Sequence, residues 1–98
     1  MEEIKEKTLT ALFSGRVQGV GFRAYVANIA QNYTICGWVK NLPDGRVELV
    51  AWGKEGELQK FFSEICQGKL GKNIQRVHSN ISDAACNTNI KPQNFLIK

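Results

Sequence analysis

Between Lys7 and Tyr33 the chain changes its hydrophobic period once, and Gly15, Gly19 and Gly21 mark the change. Leu9, Ala11 and Phe13 alternate with Thr8, Thr10 and Leu12, the two-residue repeat expected of a strand over 7–13. Phe22, Tyr25, Val26, Ile29, Ala30 and Tyr33 then recur at three- and four-residue intervals, one apolar face of a helix of about three turns. A strand that feeds a helix through so short and glycine-rich a loop leaves backbone N–H groups free to converge on one anion. Arg23 falls in the first turn of that helix and adds a guanidinium whose fork matches phosphate. The unit therefore points to a mixed α and β domain with phosphate chemistry at the loop.

The remaining elements follow from the same two periods. Residues 35–41 read as a strand with Ile35, Gly37 and Val39 on one side. Leu42-Pro43-Asp44-Gly45 is a turn, since proline presets φ and glycine supplies the left-handed conformation. Residues 46–52 form the returning strand of a hairpin. A second helix covers about 55–67, with Leu58, Phe61, Phe62, Ile65 and Cys66 as its buried stripe and Gly68 as its stop. Residues 69–72 read as a loop, 74–81 as a fourth strand, 82–92 as a polar irregular segment and 95–98 as a short final strand. The order β-α-β-β-α-β, plus a terminal strand, is the ferredoxin-like split-βαβ plan: an α+β sandwich, an antiparallel sheet with two helices on one face. One domain spans 1–98, with 1–6 as a loose N-terminal tail. This plan serves enzymes, metal carriers and RNA binders, so the function has to come from the site.

Composition narrows the choice of partner. The net charge is +4 and the pI about 9.1, which favours anions, but Lys and Arg are scattered and form no basic run. Cys36, Cys66 and Cys86 are odd in number and contain no CxxC pair, which argues against a disulfide framework and against a zinc site. Cys66 reads as a small core hydrophobe. No apolar run approaches the roughly 20 residues of a membrane span. Residues 1–7 lack the apolar stretch of a secretion signal. The expectation is a cytoplasmic protein, in which the glycosylation patterns at Asn32 and Asn80 are chance matches.

Each candidate residue has a plain structural reading beside the functional one. The loop is no Walker A motif, because no Gly-Lys-Ser/Thr follows, and its glycine spacing is not that of a dinucleotide fingerprint. On their own the glycines describe a tight strand-to-helix turn. Arg23 tips the balance, since burying a guanidinium close to the loop amides is costly without an anion to pair with. Asn41, at the end of its strand, suits turn initiation. His78, the lone histidine, reads as structural or exposed. Asp44, Glu48, Glu55 and Glu57 show no metal-ligand spacing, Trp38 and Trp52 read as packing residues, and Lys40 as a solvated charge.

Gly15-Arg16-Val17-Gln18-Gly19-Val20-Gly21-Phe22-Arg23 resembles the first signature of the acylphosphatase family. Gly37-Trp38-Val39-Lys40-Asn41, followed by Gly45, Val47 and Gly53, resembles its second. Both are long and stand in the expected order, and the likeness in element order runs from Lys7 to Lys98. It implies hydrolysis of the carboxyl–phosphate bond of a small-molecule acyl phosphate, with no metal, no cofactor and no phosphoenzyme. Arg23 resembles the arginine that holds the phosphate, aided by amides of the loop from Gln18 to Phe22, and Asn41 the residue that orients the attacking water. The expected protein is a monomer that binds neither nucleic acid nor membrane. Phe13, where an aliphatic residue is more usual, the stretch 84–87 and the short C-terminal strand depart from the family pattern. Three rivals remain. One is a carbamoyl-phosphate module of the kind found in larger maturation proteins, disfavoured by the single domain and the lack of zinc-finger cysteines. Another is an RNA-binding module, disfavoured because 46–52 lacks paired aromatics for base stacking. The third is a phosphate sensor, which turnover would exclude.

Overall fold

The computed structural model describes residues 6–83 and 94–98. The elements are β1 (Lys7–Gly15), α1 (Phe22–Ala30), β2 (Ile35–Asn41), β3 (Val47–Gly53), α2 (Glu55–Gln67), a 3₁₀ turn (Gly71–Asn73), β4 (Ile74–Ser82) and β5 (Phe95–Ile97). They form a five-stranded sheet of order β4-β1-β3-β2-β5. Leu9, Ala11 and Phe13 of β1, Val39 of β2 and Val47, Leu49 and Ala51 of β3 share one buried cluster with Phe22, Val26 and Ile29 of α1 and Leu58, Phe61 and Ile65 of α2. The alternation in the strands thus selects the face the helices cover, and both helices lie on it. Trp52 is also buried, as a packing residue should be.

β1, β3, β2 and β4 pair antiparallel, whereas β5 adds parallel to β2, Gly37 opposite Phe95 and Val39 opposite Ile97. The sheet is therefore mixed. Ser82, at the end of β4, pairs with Thr8, and the register carries that end of the sheet through Gly53 to Ile35 at the start of β2. A chain that leaves one edge and re-enters at the same end of the opposite edge runs in the direction of β2. No property of residues 95–97 themselves could have announced this. Most of the expected irregular segment 82–92 lies outside the described residues, as do residues 1–5 of the expected tail; Ser82 itself closes β4.

Local chemistry adjusts three other boundaries. β1 continues to Gly15 because β4 pairs with it that far. α1 ends at Ala30, before Tyr33, where the N–H groups of Gln31, Asn32 and Tyr33 turn to the carbonyls of Asn28, Ile29 and Ala30, the tighter i−3 pattern of a closing helix. The 3₁₀ turn at Gly71–Asn73 falls partly within the expected loop. Burial of Leu, Ile and Phe side chains is the main stabilising term, about 1.5–3 kcal/mol each. Ile65, fully buried on α2, gives a modest check: Ile65→Val should cost about 0.5–1.5 kcal/mol, read as a lowered denaturation midpoint with an unchanged slope.

Candidate active site

The pairings Phe13–Val47 and Asn41–Val47 place the end of β1, the start of β3 and the end of β2 at one end of the sheet. The loop 16–21 and the first turn of α1 emerge there. Val17 and Phe22 are buried in the core, and Val20 packs against it, so apolar side chains anchor the loop along its length and at the start of α1. Gly19 and Gly21 have φ of +76° and +82°, and a Cβ added at either would meet nothing within 4 Å. Glycine is needed there for conformation rather than for space. Gly21 precedes α1 without any side-chain cap, and the first turn holds no acidic residue. The leading N–H groups of α1 are thus left without an intrahelical partner, beside a positive helix end.

A cavity of about 200 Å³ opens at this point. Gly19, Gly21 and Arg23 line it from the loop and α1, Asn41 from the end of β2, and Ile97 from β5; Val17, Phe22 and Ala24 complete its wall. Arg23 and Asn41, 18 positions apart in the chain, therefore share one concavity with the glycine loop. Gly15, Arg16, Gln18 and Val20 do not line it. Gly15 closes β1, and the Arg16 N–H is donated to the Asn73 carbonyl at 3.0 Å. Arg23 is half-buried, and its Nη1 donates to the Lys98 backbone oxygen at 2.8 Å. That contact holds the guanidinium at the cavity through the end of the chain's last strand and leaves further N–H donors on the fork.

The side chain of Gln18 has a part that its place in the loop did not suggest. Its Nε2 donates to the carbonyls of Leu42 and Arg46, at 2.8 and 2.9 Å. Those two residues close the β2–β3 turn through Leu42 N–H to Arg46 O, 2.8 Å. The turn is braced again by Asp44, whose carboxylate accepts from the Arg46 N–H and Nε at 3.0 and 2.9 Å. These bonds hold the Asp44 carboxyl below the usual carboxylate range. Gln18 thereby ties the loop to the hairpin that carries Asn41. The only forewarning was an amide in the loop, and an amide alone does not say what it reaches.

The other residues weighed from the sequence lie elsewhere. His78 is exposed on β4 opposite Leu12. Lys40 forms an ion pair with Glu48 at 3.7 Å and, like Lys98, lies over the Trp38 ring. Cys66 is half-buried, and burial pushes its thiol pKa up, which disfavours a thiolate nucleophile. Among the described residues no group of three or more His, Cys, Asp or Glu side chains could hold a metal ion. No described helix is long and apolar enough to cross a membrane. A larger hollow of about 470 Å³ along α2, lined by Tyr33, Lys60 and Glu64 among others, shares no residue with the site. Its Tyr33 hydroxyl is already donated to Glu64 at 2.6 Å.

Comparison with known proteins gives the family and the fold. The family model described as Acylphosphatase matches residues 9–95. An acylphosphatase of Legionella pneumophila (strain Lens) is 46% identical over 70 residues, 71% of this chain and 77% of the relative. One of Koribacter versatilis (strain Ellin345) is 41% identical over 91 residues, 93% of this chain and 80% of the relative. The crystal structure of acylphosphatase from Bacillus subtilis superposes with a TM-score of 0.81 at 34% identity, covering 94% of this chain and 98% of that one.

Proposed function

The chain belongs to the acylphosphatase family, and from that premise we propose that it hydrolyses acyl phosphates to a carboxylate and inorganic phosphate, without a metal ion. The observation that carries the reading is the meeting of Arg23, Asn41 and the glycine loop around one cavity. Phosphoryl transfer through a loose transition state needs positioning and donors around the equatorial oxygens more than it needs covalent chemistry. Arg23 and the N–H groups of the loop and first helical turn are suited to supply those donors. Water attacks phosphorus as the bond from phosphorus to the acyl oxygen breaks, and the electron pair leaves with the carboxylate. Because that leaving group is a weak base, no strong general acid is required. Asn41 can accept a hydrogen bond from the water and donate one to the phosphoryl group, which aligns the attack. The proton of the attacking water passes to a phosphate oxygen. The test is turnover of benzoyl phosphate in the presence of a chelator. Phosphate binding without turnover would leave a sensor instead.

Gln18 enters this reading as a positioning residue. Gln18→Ala should lower kcat by about tenfold, because a displacement near 1 Å at a site of this kind can cost up to about 100-fold. Stability should fall by about 1–3 kcal/mol, given about 0.5–1.5 kcal/mol for each of the two hydrogen bonds lost. Gln18→Glu should be no better, since a carboxylate would face two carbonyl oxygens. Steady-state kinetics alongside urea denaturation checks both effects.

A further inference from the structure

Part of the cavity wall is carbon: Val17, Phe22, Ala24 and Ile97 line it beside Arg23 and Asn41. Ile97 stands on β5 opposite Val39, two positions before Asn41 on β2. Strand alternation sets Ile97 on the same face as Phe95, which packs against the core beneath the helices, and sets Leu96 on the face of Trp38. Ile97 and Leu96 are the exposed large hydrophobic residues of the described chain, at 51% and 43%. Only Ile97 of the two lines the cavity with Arg23 and Asn41. Among the lining residues Arg23 bears the one ionisable side chain, and the phosphate takes it.

We infer that Ile97 receives the acyl group of the substrate and sets a preference for apolar acyl phosphates. This rests on the hydrolase reading of the same site. A phosphate held in the amide nest must project its acyl substituent out through the mouth of the cavity. There it meets the Ile97 side chain, whose apolar surface is otherwise left to water. Apolar contact at Ile97 gains free energy by removing that surface from water. A carboxylate-bearing or very small acyl group gains nothing there.

The experiment compares kcat/KM for benzoyl phosphate and acetyl phosphate in the wild type, Ile97→Ala, Ile97→Phe and Leu96→Ala. Taking each variant's benzoyl-to-acetyl ratio against the wild-type ratio cancels the intrinsic reactivity of the two compounds. Ile97→Ala should lower the ratio by about three- to tenfold, less than the roughly 10–200-fold of one methylene in an enclosed pocket, because Ile97 is half exposed. Inhibition by inorganic phosphate should change by less than about twofold, since phosphate does not reach the acyl wall. Ile97→Phe should hold or raise the ratio, and Leu96→Ala, on the opposite face of the same strand, should leave it unchanged. An unchanged ratio in Ile97→Ala, or an equal fall for both substrates with weakened phosphate inhibition, would overturn the inference while the hydrolase reading stood. Absence of wild-type turnover on both compounds would overturn the two together.

Discussion

Asn41→Ala is expected to lower kcat for benzoyl phosphate by about 10²–10³, the range seen when one preorganised polar group is removed from a transition-state site. Inhibition by inorganic phosphate should stay within about threefold of wild type. The split follows from where Asn41 sits. It enters the cavity from the end of β2, while the glycine loop and Arg23 belong to the β1–α1 connection and the first turn of α1. A phosphate held by loop amides and guanidinium loses little when the β2 side is truncated, but the attacking water loses its orientation. Asn41→Asp distinguishes roles within the amide. It keeps an acceptor for the water but replaces the N–H donor by negative charge beside the phosphate, so it should be at least as slow as Asn41→Ala and should also weaken phosphate binding. If Asn41→Ala lowered rate and phosphate affinity in parallel, Asn41 would be a strand-end residue whose loss distorts the hairpin. The bonds that close the turn, from the Leu42 and Gly45 N–H groups to the carbonyls of Arg46 and Leu42, do not involve its side chain, which is why the split is expected.

What was legible in the sequence is what depends on neighbours in the chain. The switch of period at the glycines gave β1 and α1, and Pro43 and Gly45 gave the turn, with Gly45 at φ +96°. Arg23 stands out because it falls in the first helical turn beside the glycine loop. Asn41 by position alone reads as a turn initiator and takes its role from the resemblance to the family's second signature. That they meet is a consequence of register, Asn41 opposite Val47 and Val47 opposite Phe13, and the order of elements implied it only once a fold was assumed. The features that escaped all depend on pairings remote in sequence. Gln18 bonds residues 24 and 28 positions away, and Arg23 bonds one 75 positions away. Ile97 reaches the cavity only because β5 adds parallel to β2, a direction set by the end of the sheet at which the chain re-enters. Periodicity reports which face of an element is apolar and says nothing of what stands beside it.

Arg23→Ala should be the more severe loss, lowering kcat/KM by about 10³ or more, the scale on which an arginine stabilises a transferring phosphoryl group. Unlike the Asn41 variant, it should also abolish measurable inhibition by millimolar phosphate, since the one ionisable side chain among the described residues lining the cavity is gone. Fold stability should change little. The guanidinium is half-buried and among the described residues it bonds the Lys98 oxygen, a contact that contributes about 1.5–3 kcal/mol at most for a charged donor and less with water close by. Arg23→Lys separates charge from geometry. Lysine restores the positive charge and should recover part of the phosphate affinity. It lacks the planar fork that can bond the Lys98 oxygen and two phosphate oxygens together, so the rate should remain well below wild type. Full recovery in Arg23→Lys would mean that the site needs only a cation. Unchanged kcat and KM in Arg23→Ala would mean that the loop amides alone hold the phosphate and that Arg23 serves to anchor β5. The geometry argues against the second outcome, because the same guanidinium that anchors the strand lines the cavity where the phosphate would lie.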